Sequence, residues 1–180
     1  MLAYTICFCR SGDRLLLLHR RRPPNAGLWN GVGGKLAPGE RPDDCIRREV
    51  LEETGINLAT AGILRFGGIV TWTVGADPTM PSSGMYAFVA DLGLAPAWPG
   101  DRDTPEGPLR WHPLAFVADL ANPAVVSNLP YFVPPMLAGA EAVEYRCAYA
   151  GARLLAVTRH PLTLDEMHRR DAPCRIDEGG

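Results

Sequence analysis

An unbroken apolar run, Leu15-Leu16-Leu17-Leu18, lies near the start of the chain. Side chains alternate between the two faces of a strand, so a run without polar positions predicts a strand that is buried on both faces. We place this strand at Arg14 to His19. The preceding segment, Leu2 to Cys9, is rich in residues that favour strands, and Ser11-Gly12-Asp13 predicts a turn between the two. The chain is thus predicted to begin with two strands, the second of which is covered on both sides.

Length and composition suit a single domain. The 180 residues, 47% of them apolar, suffice for one full core. The formal net charge of -2 leaves no overall basic field that would attract nucleic acid or an anionic membrane. The first residues do not look like a secretory signal, and no uncharged apolar stretch approaches a membrane span of about 18 residues. We expect a cytoplasmic protein that binds a small molecule and neither nucleic acid nor a membrane.

The rest of the chain alternates predicted strands and loops around one clear helix. The helix is placed at about residues 42 to 54, with Pro42 in its first turn and Gly55 as its end. Leu129 to Leu137 is either a helix interrupted by two prolines or a short turn. Further strands are predicted at Ile63–Val74, Met85–Leu92, Leu109–His112, Val143–Tyr149 and Arg153–Thr158, the last two joined as a hairpin. Residues 1–159 are predicted to form one domain and residues 160–180 a mobile tail.

The cysteines do not suggest a disulfide framework or a zinc site. They are odd in number and lack paired C-x-x-C spacing. Cys7 and Cys9 form a C-x-C sequence, but two residues apart on a strand they simply share a face. We interpret all five as reduced thiols that fill the core: Cys7, Cys9, Cys45, Cys147 and Cys174.

Three glutamates of the predicted helix form one acidic patch. At 3.6 residues per turn, Glu49, Glu52 and Glu53 fall within an arc of about 100 degrees. Like charges at these spacings destabilise an isolated helix by about 0.2–0.5 kcal/mol per pair, and Arg48 offsets only part of this through Glu52. Carboxylates without nearby Cys or His ligands suit a hard cation such as Mg²⁺ or Mn²⁺. The patch therefore predicts a metal site, with a solvated acidic face as the alternative.

A glycine-rich loop precedes the helix and completes a longer pattern. Gly33-Gly34-Lys35 offers backbone that can approach a ligand closely and an ammonium that can contact a phosphate. The segment Gly34 to Ile56 reads GKLAPGERPDDCIRREVLEETGI. It resembles the signature box of the Nudix hydrolases, in which a glycine, a glutamate, an Arg-Glu pair, a Glu-Glu pair and a closing glycine stand at fixed spacing. Every fixed position of that box is matched, by Gly34, Glu40, Arg48, Glu49, Val50, Glu52, Glu53, Gly55 and Ile56.

The resemblance covers about residues 3 to 140 and implies an α/β/α sandwich around a central mixed sheet. It implies that the metal neutralises phosphate oxygens and positions a water for attack on phosphorus. It also implies that one further acidic residue joins the site from a later loop, here Glu106, with Asp101 and Asp103 as rivals. The implied metal ligands are Glu49, Glu52, Glu53 and the Gly33 carbonyl, with Arg48 orienting a glutamate, Glu40 as a weaker ligand or outer support, and Lys35 steadying a phosphate.

Two stretches resemble the MutT-like branch of the family, which hydrolyses oxidised purine nucleoside triphosphates such as 8-oxo-dGTP to the monophosphate and pyrophosphate. In the W-N-G segment of that branch an asparagine contacts the base, and Asn30 occupies its place. An amide can donate and accept towards a purine edge, while a turn-forming role is the alternative. The segment Ser127 to Leu137 is similar to the C-terminal helix region of the branch, with Asn128 and Leu129 where some members carry an acidic pair. On this resemblance Asn128 is assigned to substrate binding.

Two further side chains are assigned to substrate binding. Arg21, from the run Arg20-Arg21-Arg22, is expected to grip the triphosphate because a guanidinium matches phosphate oxygens, with a solvated basic loop as the alternative. Phe132 is expected to stack on the base, although aromatic residues in such positions often belong to the core.

Other functions stay open. One is hydrolysis of another nucleoside diphosphate derivative, such as a nucleotide sugar or a dinucleoside polyphosphate. No proline occurs from Asn57 to Asp77, where the ADP-ribose hydrolases of the family typically carry one. The other is a nucleotide-sensing domain without catalysis, but such domains often lose box glutamates, and no basic recognition helix is visible here. Edge strands near the C-terminus leave a monomer and a homodimer both open.

Overall fold

A computed structural model describes residues 2–74, 83–93, 101–163 and 166. Nine strands and three helices occur within these ranges. The strands are β1 Tyr4–Ser11, β2 Arg14–His19, β3 Trp29–Asn30, β4 Ile63–Val74, β5 Ser83–Asp91, β6 Arg102–Thr104, β7 Gly107–Pro113, β8 Val143–Ala150 and β9 Arg153–Pro161. The helices are α1 Pro42–Thr54, α2 Leu114–Ala118 and α3 Leu129–Leu137.

The strands form one mixed sheet. Their order is β6-β7-β2-β1-β5-β4-β8-β9, and β3 pairs with β2 outside this path. β1 is parallel to β5 and β4 is parallel to β8, whereas the remaining pairs are antiparallel. Because β1 lies inside the sheet with a neighbour on each side, its first residues provide a fixed base for the loop that precedes α1.

β2 shows how both faces of the sheet are covered. Its four leucines are each 1% exposed or less. Leu16 and Leu18 belong to the core cluster that includes α1, while Leu15 and Leu17 belong to the cluster that includes α2 and α3. Full burial of such a side chain contributes about 1.5–3 kcal/mol. The molecule is therefore an α/β/α sandwich, which confirms the predicted fold class and the two-sided burial of β2.

Most predicted elements are present, with shifts at their ends. α1 and β4 have the predicted bounds, and β8 and β9 form the predicted hairpin. Of the two interpretations of Leu129–Leu137, the helix is correct. It tolerates Pro134 and Pro135 because its inward side, including Leu129 and Met136, is fully buried and packing holds it in place.

Three short elements, β3, β6 and α2, have no counterpart in the sequence-based prediction. Each has five residues or fewer, too short to show a periodic pattern. β3 and β6 form by pairing with β2 and β7, and α2 packs through Val117 in the core cluster that includes α3. Local sequence therefore does not reveal them.

The C-terminal part of the described chain remains in the sheet. β9 runs to Pro161, so it includes His160 and Pro161, the first residues of the predicted tail. Most of the remaining tail lies outside the described residues, and its separation from the domain stays a prediction. Within the described ranges, no helix combines the length and apolar character needed to cross a membrane. The four described cysteines are free and buried, as expected of core residues, while Cys174 lies outside the described residues.

Candidate active site

Helix α1 carries the acidic patch, and local signals set its limits. Pro42 occupies the first turn and is followed by two aspartates, which favour the positive end of the helix dipole. Gly55 adopts a φ of 75°, and its N–H donates to the Leu51 carbonyl, which ends the helix. The opposite side of α1, centred on Val50, packs in the core. The glutamates of the patch are thereby fixed relative to the sheet.

The glycine-rich loop lies against β1. The N–H of Thr5 donates to the Gly34 carbonyl at 2.8 Å, and that of Cys7 donates to the Val32 carbonyl at 2.7 Å. A Cβ at Gly33 would lie 2.3 Å from the Thr5 carbonyl oxygen, and its φ of 152° also favours glycine. Because peptide groups alternate along an extended segment, the Gly33 carbonyl lies on the side away from β1. This orientation suits the ligand role expected of it.

Glu53 is the buried member of the acidic patch. It is 8% exposed, and its carboxylate accepts a hydrogen bond from the Gly33 N–H at 3.2 Å. Burial, and then the charge and hydrogen bond of Glu106, raise the pKa of Glu53 to about 9. The pKa of Glu49 is also raised, chiefly by burial. The site therefore holds several carboxyl groups in partly buried surroundings, where hydration alone does not stabilise their negative charge.

Arg48 bridges the other carboxylates. Its guanidinium lies 2.8 Å from Glu40, 2.7 Å from Glu49 and 3.1 Å from Glu52. The hydrogen bond from Arg48 holds the pKa of Glu40 at about 2, and the paired acids raise the pKa of Arg48. Glu40 also accepts a hydrogen bond from the Ala37 N–H at 2.9 Å. Glu40 thus fixes Arg48, and Arg48 orients the two glutamates on α1.

The turn between β6 and β7 brings a fourth glutamate to α1. The carboxyl group of Glu106 lies close to that of Glu53, and its charge helps to raise the pKa of Glu53. The rival residues Asp101 and Asp103 instead pair with Arg110, at 3.5 and 3.4 Å. Of these three acids, the structure brings Glu106 to the acidic patch.

A second residue of this turn region, Arg102, is not among the site residues predicted from the sequence. Its Nη2 donates to the backbone carbonyl of Glu53 at 2.8 Å, which connects β6 to the end of α1. Arg102 follows a stretch with several prolines and no periodic pattern. No local signal therefore relates it to the helix, and only the tertiary fold brings them together.

Two predicted phosphate contacts lie on exposed parts of the loops. The side chain of Lys35 is exposed, while its backbone carbonyl accepts a hydrogen bond from Arg48 at 3.4 Å. Arg21 is also exposed, but its Nη1 donates to the Thr104 carbonyl at 2.6 Å. Arg21 therefore supports the turn that carries Glu106, and only its other N–H groups remain for a phosphate.

Asn30 and Asn128, both assigned to substrate binding, come from segments that meet. The Val126 N–H donates to the Trp29 carbonyl at 3.1 Å, which places the W-N-G segment beside the start of α3. Asn30 accepts a hydrogen bond from the Gly31 N–H at 2.9 Å, as a turn former does. Asn128 is 6% exposed and donates to the Cys147 sulfur at 3.6 Å. Its Oδ1 has no hydrogen-bond partner in the part of the chain that the structure describes.

Phe132 does not lie on a binding surface. Its side chain is 0% exposed, with ring centroids 5.8 Å from both Phe8 and Tyr145. Stacking on a base would require the ring to leave the core of the α3 face. The structure therefore corrects the prediction for Phe132 and assigns it a packing role.

The donors of the site fit a hard divalent cation. Glu49, Glu52 and Glu53 offer carboxylate oxygens, which Mg²⁺ and Mn²⁺ prefer. The raised pKa of Glu49 and of Glu53 reflects negative charge that a cation would stabilise. Among the described residues, no three acidic, histidine or cysteine side chains already converge as metal ligands do. Arg48 holds Glu49 and Glu52, so these side chains must turn towards a metal to bind it.

The sequence is similar to those of proteins whose family is known. The NUDIX domain family matches residues 1–132. The Nudix hydrolase YvcI of Bacillus subtilis, itself uncharacterised, is 31% identical, in an alignment of 64% of this chain and 68% of that protein. The oxidized purine nucleoside triphosphate hydrolase of Mus musculus is 42% identical over 49% of this chain. The chain spans 53% of the length of the mouse relative.

A solved structure shares the fold. The mutator MutT protein from Bacillus halodurans superposes with a TM-score of 0.68, covering 91% of this chain and 100% of that chain. The sequence identity is 23%, so this likeness concerns the fold alone. The strands β8 and β9 follow the part of the chain that the family match covers.

Proposed function

The chain belongs to the NUDIX family, and from that premise we propose that it is a magnesium-dependent hydrolase of purine nucleoside triphosphates. The proposed substrates are oxidised nucleotides such as 8-oxo-dGTP, and the products are the monophosphate and pyrophosphate. One observation carries the proposal: Glu106 meets Glu53 beside the other glutamates of α1, close to the loop that presents Lys35. This group of oxygen donors next to an exposed ammonium suits a metal and a polyphosphate together.

The arrangement of the described side chains supports the following proposed roles. Glu49, Glu52 and Glu53 would hold Mg²⁺, or Mn²⁺ in its place, with the Gly33 carbonyl as a further donor. When bound, the metal neutralises phosphate oxygens and favours attack by water on phosphorus. Arg48 keeps the carboxylates of Glu49 and Glu52 in place beside the site.

Glu106, which lies beside the metal-holding Glu53, is proposed to accept the proton of the attacking water. The water oxygen forms a bond to phosphorus, and the bond from phosphorus to the leaving phosphate oxygen breaks. Lys35 and the remaining N–H groups of Arg21 steady the phosphate charges.

Recognition of the base is assigned to Asn30 and Asn128, which come from segments that meet at the hydrogen bond between the Val126 N–H and the Trp29 carbonyl. The buried Oδ1 of Asn128 is an acceptor without a partner in the described part of the chain, which costs about 1–3 kcal/mol. An 8-oxopurine carries an N–H at the position where an ordinary purine carries an acceptor nitrogen. An N–H at that atom would pair with Oδ1 once the Asn128 side chain turns out of its buried position, and an ordinary purine offers no donor at that atom. The activity named for the mouse relative supports the same substrate class.

The substrate proposal is tested by a Mg²⁺-dependent screen that measures pyrophosphate and phosphate release. The panel contains 8-oxo-dGTP, the ordinary nucleoside triphosphates, nucleotide sugars and dinucleoside polyphosphates. We expect 8-oxo-dGTP to give the highest kcat/KM and to release pyrophosphate. A higher kcat/KM for a nucleotide sugar or a dinucleoside polyphosphate would show that the substrate belongs to that class instead. Tight binding without turnover would indicate a sensing domain.

The role of the metal ligands is tested with Glu52→Gln. The side chain of Glu52 is 59% exposed and its described ion pair is with Arg48, so stability should change by less than about 0.5 kcal/mol. We expect kcat to fall by about 10²–10³-fold, as when a group that stabilises transition-state charge is lost. Asp44→Asn, on an exposed position of the first turn of α1, is the matched control and should keep its activity. Near-normal turnover by Glu52→Gln would contradict the proposed mechanism.

A further inference from the structure

We propose that Arg102 is a positioning residue that holds the Glu106 turn against the C-terminal end of α1. The hydrogen bond from Arg102 to the Glu53 carbonyl connects the strand before the turn to the helix residue that Glu106 approaches. The inference rests on the proposed function, because it concerns how the fourth glutamate reaches the site.

The turn itself is short and internally bonded. β6 and β7 pair up to Thr104 and Gly107, which face each other across the turn. The Thr104 hydroxyl donates to the Gly107 carbonyl at 2.7 Å and accepts a hydrogen bond from the Gly107 N–H at 3.2 Å. The turn therefore behaves as one unit, and fixing its flanking strand fixes the Glu106 backbone.

One side of this unit is attached to the end of β2. The Arg21 N–H donates to the Glu106 carbonyl at 2.9 Å, and the Arg21 side chain donates to the Thr104 carbonyl. Gly107 packs so closely on β2 that a Cβ there would lie 1.8 Å from the His19 carbonyl oxygen. These contacts fix the position of the turn relative to β2, but none of them involves α1.

Arg102 supplies the attachment to α1. The last turn of α1 contains no basic residue, so its negative end receives no cation from the helix itself. The guanidinium of Arg102 lies there, with Nη2 2.8 Å from the Glu53 carbonyl oxygen. Its buried Nε has no hydrogen-bond partner in the described part of the chain. Among the described residues Arg102 has no acidic partner, and a partly buried cation without one is costly, so its hydrogen bond to the helix end helps to hold it in this position.

The hydrogen bond from Arg102 ends on a backbone carbonyl of α1, so it holds the Glu106 turn near Glu53 without using either carboxylate.

The test is a double-mutant cycle with Arg102→Met and Glu106→Gln, alone and combined. Displacement of a catalytic group by about 1 Å can cost about 10²-fold, so we expect Arg102→Met to lower kcat by about 10–100-fold with little change in KM. If Arg102 acts through Glu106, the same change should have less than a twofold effect in the Glu106→Gln background. Arg102→Lys, which keeps a charged donor, should recover part of the loss.

A second readout does not depend on turnover. Calorimetric titration with Mn²⁺ should show weaker binding in Arg102→Met than in the unmodified protein, and no further weakening when Glu106→Gln is already present. Arg14→Met is the matched control, because Arg14 lies on β2 and donates to the Trp111 carbonyl, away from α1. It should leave both kcat and Mn²⁺ affinity unchanged.

The outcomes separate the two proposals. Effects of Arg102→Met and Glu106→Gln that multiply independently, in kcat and in Mn²⁺ affinity, would overturn the positioning role. Loss of kcat that only follows a fall in Tm, without recovery in Arg102→Lys, would do the same. Failure of the unmodified protein to hydrolyse any diphosphate would overturn the proposed function, while the Mn²⁺ titrations would still report on Arg102 and Glu106.

Discussion

Glu53 has unusual surroundings for a glutamate near the end of a helix. It is 8% exposed, and its pKa of about 9 results from burial, then from Glu106 and Glu49. The folded protein therefore binds a proton on Glu53 more tightly than the unfolded chain does. By linkage, this group favours folding below its ordinary pKa of 4.5, and the contribution is lost as pH rises towards about 9.

We accordingly expect Glu53→Gln to stabilise the metal-free protein at alkaline pH. Glutamine keeps an acceptor for the Gly33 N–H but carries no charge, so the gain should be about 1–2 kcal/mol at pH 9 and vanish near pH 5. At this chain length each kcal/mol corresponds to about 2–4 °C in Tm. Thermal melts of both proteins in chelator across this pH range measure the difference, with Glu52→Gln as the exposed control. A variant less stable than the unmodified protein at pH 9 would contradict the account.

The pKa of Glu40 is shifted in the opposite direction to that of Glu53. Its hydrogen bonds with Arg48 lower its pKa to about 2, so its contribution to stability is present above the ordinary value of 4.5 and is lost as pH falls towards 2. We expect Glu40→Gln to cost about 1–2 kcal/mol at pH 7, since hydrogen bonds between charged groups are lost. Denaturant titrations from pH 7 to pH 2.5 should show the two proteins converging. A constant difference across that range would exclude this ion pair as the cause.

At the scale of elements, the glycine-rich loop packs so closely on β1 and α1 that neither Gly31 nor Gly34 has space for a side chain. A Cβ at Gly34 would lie 2.4 Å from the Glu49 carboxyl carbon, whereas a Cβ at Gly31 would lie 2.8 Å from the Cys7 carbonyl oxygen. The first clash involves the movable end of a side chain, and the second involves the backbone of a central strand. The two glycines should therefore respond differently to the same substitution.

We expect Gly34→Ala to impair activity more than folding. The Glu49 carboxylate must move, so kcat should fall by about 10–100-fold while stability changes by less than about 1 kcal/mol. Gly31→Ala should instead lower Tm, because neither the β1 backbone nor the buried neighbours can give way. Kinetics and thermal melts on both variants test the distinction. Equal losses of stability would show that Gly34 matters for folding and not for the position of Glu49.

At the scale of the whole molecule, β8 completes the core although it follows the family match. Tyr145 and Cys147 of β8 are each 1% exposed and pack in the cluster on the α3 face. β8 also pairs in parallel with β4, which makes it an internal strand with β9 at the edge. The C-terminal hairpin is therefore part of the domain and not an appendage.

Truncation should reveal this dependence. A chain that ends at residue 142 lacks β8 and β9 and leaves the α3 face of the core open, so we expect it to lose cooperative unfolding. A chain ending after Glu166 keeps every described element and should retain Tm and activity, as the predicted tail implies. Calorimetry and the hydrolysis assay measure both. Cooperative unfolding of the shorter chain would show that β8 and β9 are dispensable.

Local spacing determined α1 and the glutamates on it. Pro42 and Gly55 mark the ends of the helix, and the helical repeat places Glu49, Glu52 and Glu53 on one side whatever surrounds them. The leucine run of β2 likewise implies a sheet covered on both faces. These features depend on residues that are close together in the chain, so a single sequence is sufficient to predict them.

The tertiary structure alone decided which loop residues meet the helix. Glu106, Asp101 and Asp103 are similar acids in one stretch of sequence, but the pairing of β6 with β7 brings Glu106 to Glu53 and leaves the two aspartates with Arg110. The burial of Phe132 and the contact of Arg102 with α1 depend in the same way on residues far apart in the chain. Such contacts are selected by the packing of the whole sheet and its helices, which no local pattern encodes.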